Sequence, residues 1–259
     1  MVYNDMFITI YILVVSAVFG SVFGSFINCM AWRIVNKESI LKGRSHCTTC
    51  GHMLGVLDLI PIFSYILSKG RCRYCKEKYS PRYMVTELIL AVVFMLFTFQ
   101  YDISFLTLRY LMLSCILLGL SLVDFDIYEI PNRFIVAGIV VWIATIPFID
   151  TPIKEQLISG LSGGFSIGGS ILLLSLFMDF VLKKESMGGG DIKLFFMLGL
   201  YMGPILGLFH LIISCFVGIF FVIILRNNKI PFGPAISIGA IISLLWGNHI
   251  VSWYIGLFY

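Results

Sequence analysis

Residues 207–225 read GLFHLIISCFVGIFFVIIL, a run of 19 residues without Asp, Glu, Lys or Arg. Lipid offers the backbone no hydrogen-bond partners, so a chain crosses hydrocarbon as a helix of about 20 apolar residues. Eight such runs occur, at residues 7–32, 83–100, 104–123, 132–149, 157–182, 192–205, 207–225 and 232–257. The whole chain is 59% apolar and 12% charged. This composition and the eight runs predict an all-α, polytopic membrane helical bundle rather than a soluble domain.

The distribution of Lys and Arg indicates how these helices are oriented. With the N-terminus outside, the loops at 33–82, 124–133, 183–193 and 226–231 all face the cytoplasm, and they hold 16 of the 18 Lys and Arg. Cytoplasmic loops of membrane proteins carry such an excess. The net charge of +4 therefore reflects topology in the lipid bilayer, and nothing in the sequence resembles a nucleic-acid-binding module.

A polar, Lys- and Arg-rich segment separates the first apolar run from the second. We accordingly divide the chain into a first transmembrane helix (1–32), a small cytoplasmic insert (33–82) and a membrane-embedded helical bundle (83–259). The fifth apolar run carries a small-residue face, which indicates close packing against a neighbouring helix. Its glycines are Gly160, Gly163, Gly164, Gly168 and Gly169.

The insert contains two Cys-x-x-Cys pairs, Cys47 with Cys50 and Cys72 with Cys75. Two such pairs complete a closed tetrahedral Zn²⁺ site, in which four protein ligands leave no open position for chemistry. The alternative is a pair of disulfides, which the reducing cytoplasm disfavours. We therefore predict a structural zinc ion, whose binding would supply stability that so small an insert lacks.

Three aspartates lie near the predicted cytoplasmic ends of helices: Asp124, Asp126 and Asp191. A charge in hydrocarbon is costly, so an acidic residue at membrane depth points to function. Asp191 follows three glycines, which permit close approach of another chain and torsions closed to other residues. Two facing carboxyl groups cannot both ionise easily, so one can activate water while the protonated one polarises a carbonyl. The alternative is that these aspartates are simply exposed to the cytoplasm at loop ends.

The motifs along the chain resemble those of a known family. Gly188-Gly189-Gly190-Asp191 is similar to the Gly-x-Gly-Asp signature of a class of membrane aspartic proteases that includes the presenilins. The ordered set over residues 20–235 resembles the bifunctional type IV prepilin peptidase/N-methyltransferases. Its other members are Gly24-Ser-Phe-Ile-Asn28 with Arg33, Asp58-Leu-Ile-Pro-Ile-Phe-Ser-Tyr65, Gly70-Arg-Cys-Arg-Tyr-Cys75, Pro81-Arg-Tyr83 with Glu87, Asp124-Phe-Asp126 ahead of Ile130-Pro-Asn132, and Ile230-Pro-Phe-Gly-Pro234.

This resemblance implies an activity and its residues. The catalytic pair falls on Asp124 and Asp191, the preceding glycines form an active-site loop, and Asp126 is a supporting or fallback carboxylate. The implied reaction removes the basic leader from type IV prepilins and pilin-like secretion or competence proteins, at the cytoplasmic face of the bacterial inner membrane. S-adenosylmethionine then methylates the new N-terminus. Glu87 lies about one turn into the second helix, where it accepts a cationic substrate group or is merely solvated at the interface.

Two other classes of function compete with this interpretation. An ion-coupled transporter would use Asp124, Asp126 and Asp191 as a proton relay, but it leaves the cysteine insert unexplained and predicts repeated halves that the sequence lacks. A non-catalytic, zinc-bearing assembly factor would need neither catalytic aspartate.

Overall fold

The computed structural model describes residues 6–40, 43–183, 187–225 and 230–257, and the regular elements in these ranges are all helical. The chain divides into two compact units, Met1–Thr107 and Leu108–Tyr259. The all-helical fold confirms the predicted class. The domain boundaries that we predicted at residues 32 and 82 were drawn at the ends of membrane spans and not between compact units. They stay a prediction.

Unit 1 is built on a pair of long helices with the insert between them in sequence. Helix α1 covers Met6–Val35 and α3 covers Arg82–Tyr101. The insert holds a 3₁₀ turn at Val56–Asp58 and the short helix α2 at Phe63–Ser68. Both long helices have the length and hydropathy of a membrane span.

Helices α1 and α3 approach closely because small residues lie on the contacting face of α1. A Cβ atom added to Gly24 would lie 2.8 Å from the Cα of Glu87, which is closer than two carbon atoms can pack. One turn later, the Asn28 side-chain amide donates to the Tyr83 carbonyl and to the Thr86 hydroxyl. The motif that begins at Gly24 and ends at Asn28 therefore serves to pair these two helices.

Each Cys-x-x-Cys pair lies in a turn of the same form, closed by an isolated β-bridge. In both turns the first cysteine donates its N–H to the carbonyl five residues later and accepts from the N–H four residues later, at 2.9 or 3.0 Å. The residue after each pair is left-handed, with φ of 70° at Gly51 and 61° at Lys76. Only the first turn has glycine there, the residue that adopts this conformation without steric cost.

Unit 2 contains the other described helices. Its elements are α4 at Phe105–Ile127, which begins just before the unit boundary, α5 at Asn132–Thr145, α6 at Ile153–Leu182, α7 at Gly189–Leu225, α8 at Gly233–Ile242 and α9 at Asn248–Ile255. A π-helical turn at Ser243–Gly247 joins α8 to α9, so these two form one continuous apolar span, Gly233–Gly256.

Helix α7 folds back on itself at Gly203, where φ is 70° and ψ is −177°. The rings of Phe195 and His210 lie on opposite sides of this point, yet their centroids are only 5.3 Å apart. In a continuous helix, residues 15 positions apart would be separated by about 22 Å. The two halves of α7 are therefore neighbours, as the separate apolar runs at 192–205 and 207–225 predicted. Pro204, which cannot continue the preceding helical hydrogen bonds, follows the reversal.

The glycine face of α6 packs against the first half of α7. A Cβ on Gly163 would lie 2.3 Å from the Gly199 carbonyl oxygen, and one on Gly168 would lie 2.7 Å from the Cβ of Phe196. Gly169 has no atom within 4 Å of such a Cβ, so it lies off this face. The packing predicted from the glycines is thus confirmed, except at Gly169.

Within the described ranges, six helical segments are long and apolar enough to span a membrane, and a shorter apolar segment covers Asn132–Phe148. These six count α7 once although it folds back at Gly203, so its two halves and the shorter segment bring the total in the described residues to the eight predicted runs. Arg109 is a basic residue inside this bundle: it is buried, and its Nε donates to the Thr145 hydroxyl at 2.7 Å. Its terminal nitrogen donates to the Gln156 side chain at 3.2 Å, so internal acceptors satisfy a cation in an apolar span.

Candidate functional site

Asp124 lies in the last turn of α4 and is only 4% exposed. Its Oδ2 accepts a hydrogen bond from the backbone N–H of Gly233 at 2.8 Å. Gly233 is the first residue of α8, where backbone N–H groups have no partner within their own helix. A Cβ at position 233 would lie 2.7 Å from that same oxygen, so only glycine leaves room for the carboxylate.

Asp191 occupies the first turn of α7 and is partly buried. Its carboxyl group interacts electrostatically with that of Asp124, so the structure brings these two predicted residues together. Lys193, two residues later, donates from Nζ to the Asn132 side-chain oxygen at 3.0 Å, which ties the start of α7 to the start of α5. The Ile-Pro-Asn motif that ends at Asn132 therefore helps to position the Asp191 segment.

The glycines before Asp191 act through their small size. Gly188, Gly189 and Gly190 are absent from the residues with positive φ, so the unusual torsions that we expected there are wrong. A Cβ on Gly190 would meet the Cβ of Ile130 at 3.0 Å, and one on Gly188 would come within 3.3 Å of the Asp191 carboxylate. Close approach of another segment is thus confirmed at Gly190, whereas the neighbour of Gly188 belongs to its own segment and position 189 is open.

Asp126 differs from Asp124 in its surroundings. It is exposed, whereas Asp124 is buried against α8. The carboxylate that acts electrostatically on Asp191 is that of Asp124. This arrangement supports Asp124 as the partner of Asp191 and leaves Asp126 as the fallback.

The pairing of Asp124 with Asp191 has the composition of an acid–base pair. Two interacting carboxyl groups lose their protons as a unit, so one can be ionised while the other is protonated. The ionised group can then accept a proton from water, and the protonated group can donate to a carbonyl oxygen.

The four cysteines of the insert converge as predicted. The sulfur atoms of Cys47, Cys50, Cys72 and Cys75 all lie within 4.8 Å of one another. All seven cysteines of the chain are free, and the Cys47 and Cys75 sulfurs are 3.9 Å apart, too far for a disulfide. A tetrahedral zinc ion with bonds of about 2.3 Å would hold its sulfurs about 3.8 Å apart, so the cluster fits a structural metal.

The thiols of this cluster differ in their pKa. Backbone N–H groups of Cys50 and Thr49 donate to the Cys47 sulfur and lower the pKa of its thiol to about 6. At Cys75 a backbone N–H from Glu77 favours the thiolate, but desolvation and the neighbouring thiols outweigh it and raise the pKa to about 12. Four thiolates so close together would repel one another. Ionising all four therefore requires a cation, which zinc would supply.

Glu87 lies on α3, and it is buried rather than solvated, with 7% of its surface exposed. Its Oε2 accepts the Ile62 backbone N–H at 2.7 Å. Ile62 is the central residue of a γ-turn, with φ of 64° and a 2.6 Å hydrogen bond from the Phe63 N–H to the Pro61 carbonyl. Such a turn is strained for a β-branched residue and needs support from its surroundings. The interfacial solvation that we considered for Glu87 is therefore wrong, and the carboxylate anchors the insert to α3.

Comparisons with known proteins agree with this arrangement. The Bacterial Peptidase A24 N-terminal domain matches residues 18–101, and the Type IV leader peptidase family matches residues 111–223. No solved structure matches the chain significantly.

Three relatives illustrate the match to known proteins. A type 4 prepilin-like proteins leader peptide-processing enzyme of Escherichia coli is 33% identical over 254 residues, which cover 89% of this chain and 93% of the relative. A prepilin leader peptidase/N-methyltransferase of Bacillus subtilis is 31% identical over 247 residues, 92% of this chain and 96% of the relative. One from Aeromonas salmonicida is 34% identical over 237 residues, 85% of this chain and 77% of the relative. Nothing among these matches supports a transporter. On this evidence the chain belongs to the type IV leader peptidase family.

Proposed function

We propose that this protein is a membrane aspartic endopeptidase that removes the basic leader from type IV prepilins and pilin-like proteins, and that it then N-methylates the new N-terminus. The observation that carries the peptidase half is that the carboxyl groups of Asp124 and Asp191, at the ends of two apolar helices, interact electrostatically. The names of the relatives, prepilin leader peptidase/N-methyltransferase, support both halves.

In the proposed hydrolysis, Asp124 and Asp191 work as one acid–base pair. The ionised carboxylate takes a proton from water, and the resulting hydroxide attacks the carbonyl carbon of the scissile peptide bond. The protonated carboxyl group donates to the carbonyl oxygen, so the charge that develops on that oxygen is neutralised. Collapse of the intermediate breaks the C–N bond, the leaving amine receives the proton taken from water, and the carbonyl oxygen returns its proton to the second carboxylate. Gly233 supports this step by holding Asp124 through its backbone N–H.

The proposed placement follows the distribution of basic residues. The N-terminus lies outside, and the insert and the aspartate pair lie at the cytoplasmic face of the bacterial inner membrane. Cys47, Cys50, Cys72 and Cys75 hold structural zinc, and S-adenosylmethionine is the methyl donor. A prepilin presents its cleavage site where its own apolar helix enters the bilayer, which suits aspartates at helix ends.

Co-expression with a candidate prepilin tests both halves at once. Mass spectrometry of the pilin N-terminus should reveal loss of the leader and one added methyl group on the new amine. A pilin that keeps its leader, although the enzyme is folded and present in the membrane, would refute the peptidase. A cleaved but unmethylated pilin would leave the peptidase in place and refute the methyltransferase.

A further inference from the structure

Unit 1 contains a cavity of about 500 Å³, lined by the end of α1, the start of α3 and the insert. Small-molecule sites usually have volumes of roughly 300–1,000 Å³ and combine apolar walls with a few polar groups. Aromatic side chains supply much of this wall: Trp32, Tyr65, Tyr79 and Tyr83. Nothing in the peptidase chemistry of Asp124 and Asp191 uses this space.

The cavity has a buried anion without a cationic partner. Glu87 lines the wall, and it accepts hydrogen bonds from the Ile62 N–H and the Ser25 hydroxyl. Among the residues that the structure describes, no Lys or Arg forms an ion pair with it. Asp58, which also lines the cavity, is instead paired with Arg73 at 3.1 Å. A buried carboxylate that accepts hydrogen bonds from neutral donors alone is suited to bind a cationic group of a ligand.

On the same wall lies a buried cation, which forms no ion pair with a carboxylate in the part of the chain that the structure describes. Arg33 is 8% exposed and lines the cavity. Its terminal nitrogens donate to backbone carbonyls of the insert, including those of Ile40 at 3.1 Å and Gly43 at 3.0 Å. A guanidinium group has five N–H donors in a planar fork, and bonds to carbonyls of the described residues occupy three of them. Such a fork suits a ligand carboxylate.

The aromatic residues of the wall can contact a second positively charged group of a ligand, besides the one that faces Glu87. Tyr79 packs edge-to-face on Tyr65, with centroids 5.2 Å apart, and against Tyr83 at 6.3 Å. Burial raises the pKa of the Tyr79 hydroxyl, so this ring stays neutral at physiological pH. Faces of neutral aromatic rings attract ammonium and sulfonium groups, and rings also stack on a planar base.

We propose that this cavity binds S-adenosylmethionine, a ligand with a carboxylate, an ammonium, a sulfonium and a purine. Arg33 holds the carboxylate, Glu87 faces the cationic groups, and the tyrosines and Trp32 contact the sulfonium and the base. This proposal rests on the methyl-transfer half of the proposed function and gives it a site in unit 1. In the reaction, the neutral N-terminal amine donates its lone pair to the methyl carbon, the S–CH₃ bonding pair stays on sulfur to leave S-adenosylhomocysteine, and the amine proton passes to solvent.

Equilibrium binding of tritiated S-adenosylmethionine to the purified, zinc-loaded full chain tests this site. Glu87→Gln removes the anion with little change in shape, and Ser64→Phe adds bulk at the cavity wall without changing charge. We expect Glu87→Gln to weaken binding about tenfold or more, and Ser64→Phe to block it. The matched control is Glu38→Gln, the same change at an exposed carboxylate of unit 1, which should bind as the wild type does.

Zinc content and the unfolding temperature verify that each variant is folded, and if Glu87→Gln unfolds, Ser64→Phe decides. A wild-type protein that binds and methylates, with both folded variants binding within about twofold of it, would overturn this location and leave the proposed function intact. A folded wild-type protein that neither binds the methyl donor nor methylates a cleaved pilin would overturn the methyltransferase and this site together. Ultraviolet crosslinking of the labelled donor should mark peptides from residues 25–87, and labelling confined to unit 2 would contradict the proposal.

Discussion

The two units position their chemical groups by different physical means. In unit 1 the four thiols come from two short turns of the same backbone form, each specified by a local Cys-x-x-Cys spacing. In unit 2 the two carboxyl groups come from the end of α4 and the start of α7, and they meet only because the helices pack. A local site of this kind would be held together by a bound metal, whereas the site built from distant helices depends on glycine-mediated packing. Substitutions should therefore have separable effects in the two units.

The largest expected effect is on the aspartate pair of unit 2. Asp124→Asn or Asp191→Asn preserves shape but removes an ionisable carboxyl group, so prepilin cleavage should fall to background in either variant. The measurement is the fraction of cleaved pilin in co-expressing cells. Asp150→Asn, at an exposed position, is the matched control and should process normally.

Normal processing by the Asp191→Asn variant would rule out the peptidase assignment. If Asp124→Asn stays active and Asp126→Asn does not, the catalytic residue within the Asp-x-Asp motif is the second one. That outcome would change the assignment of one catalytic residue, and the difference between the two units would remain.

The corresponding change in unit 1 removes ligands from the cysteine cluster. Purified protein should carry about one zinc ion per chain, and Cys72→Ser with Cys75→Ser should release it, because two remaining thiolates cannot close the site. Elemental analysis of reduced protein measures the metal, and limited proteolysis measures loosening of the insert. Cys115→Ser, in α4, is the control and should retain zinc. Zinc-free wild-type protein, freshly purified under reducing conditions, would count against the metal site.

A third experiment tests whether methylation depends on unit 1 and cleavage on unit 2. Asp191→Asn enzyme, supplied with an already cleaved pilin and labelled S-adenosylmethionine, should still label the N-terminal amine. Mild disruption of the cysteine cluster should reduce methylation more than it reduces cleavage, because hydrolysis draws nothing directly from a closed four-thiolate metal. Loss of labelling with folded Asp191→Asn protein would mean that the reactions share a site.

The smallest expected effect concerns Gly233. Gly233→Ala places a Cβ 2.7 Å from the Asp124 carboxylate oxygen, so the carboxylate or the start of α8 must shift. A misplaced catalytic group commonly lowers the rate by about ten- to a hundredfold, and we expect kcat for cleavage to fall within that range. Gly169→Ala is the matched control, since its Cβ would meet no atom within 4 Å. Equal rates in the two variants would show that the hydrogen bond from Gly233 does not position Asp124.

Much of the membrane architecture could be predicted because hydrophobic run length is a local property. All eight apolar runs are helical over most of their described residues, and the glycines of α6 correctly indicated close helix packing. The expected torsions at residues 188–190 were wrong, because small size, rather than a left-handed backbone, is what the packing against Ile130 uses. Glu87 was judged from its position near the interface, and only the fold of the insert revealed that the Ile62 N–H reaches it.

By itself, the sequence determined the helical membrane fold, the grouping of four cysteines in one small insert and the presence of acidic residues near helix ends, because each depends on composition or short spacing. Tertiary structure alone decided that Gly233 donates to Asp124, that α7 reverses at Gly203, and that Arg33 and Glu87 line one cavity. The reason is physical. Hydrogen bonds and electrostatic contacts between residues far apart in the chain depend on distances of a few ångströms, which only the packing of helices sets.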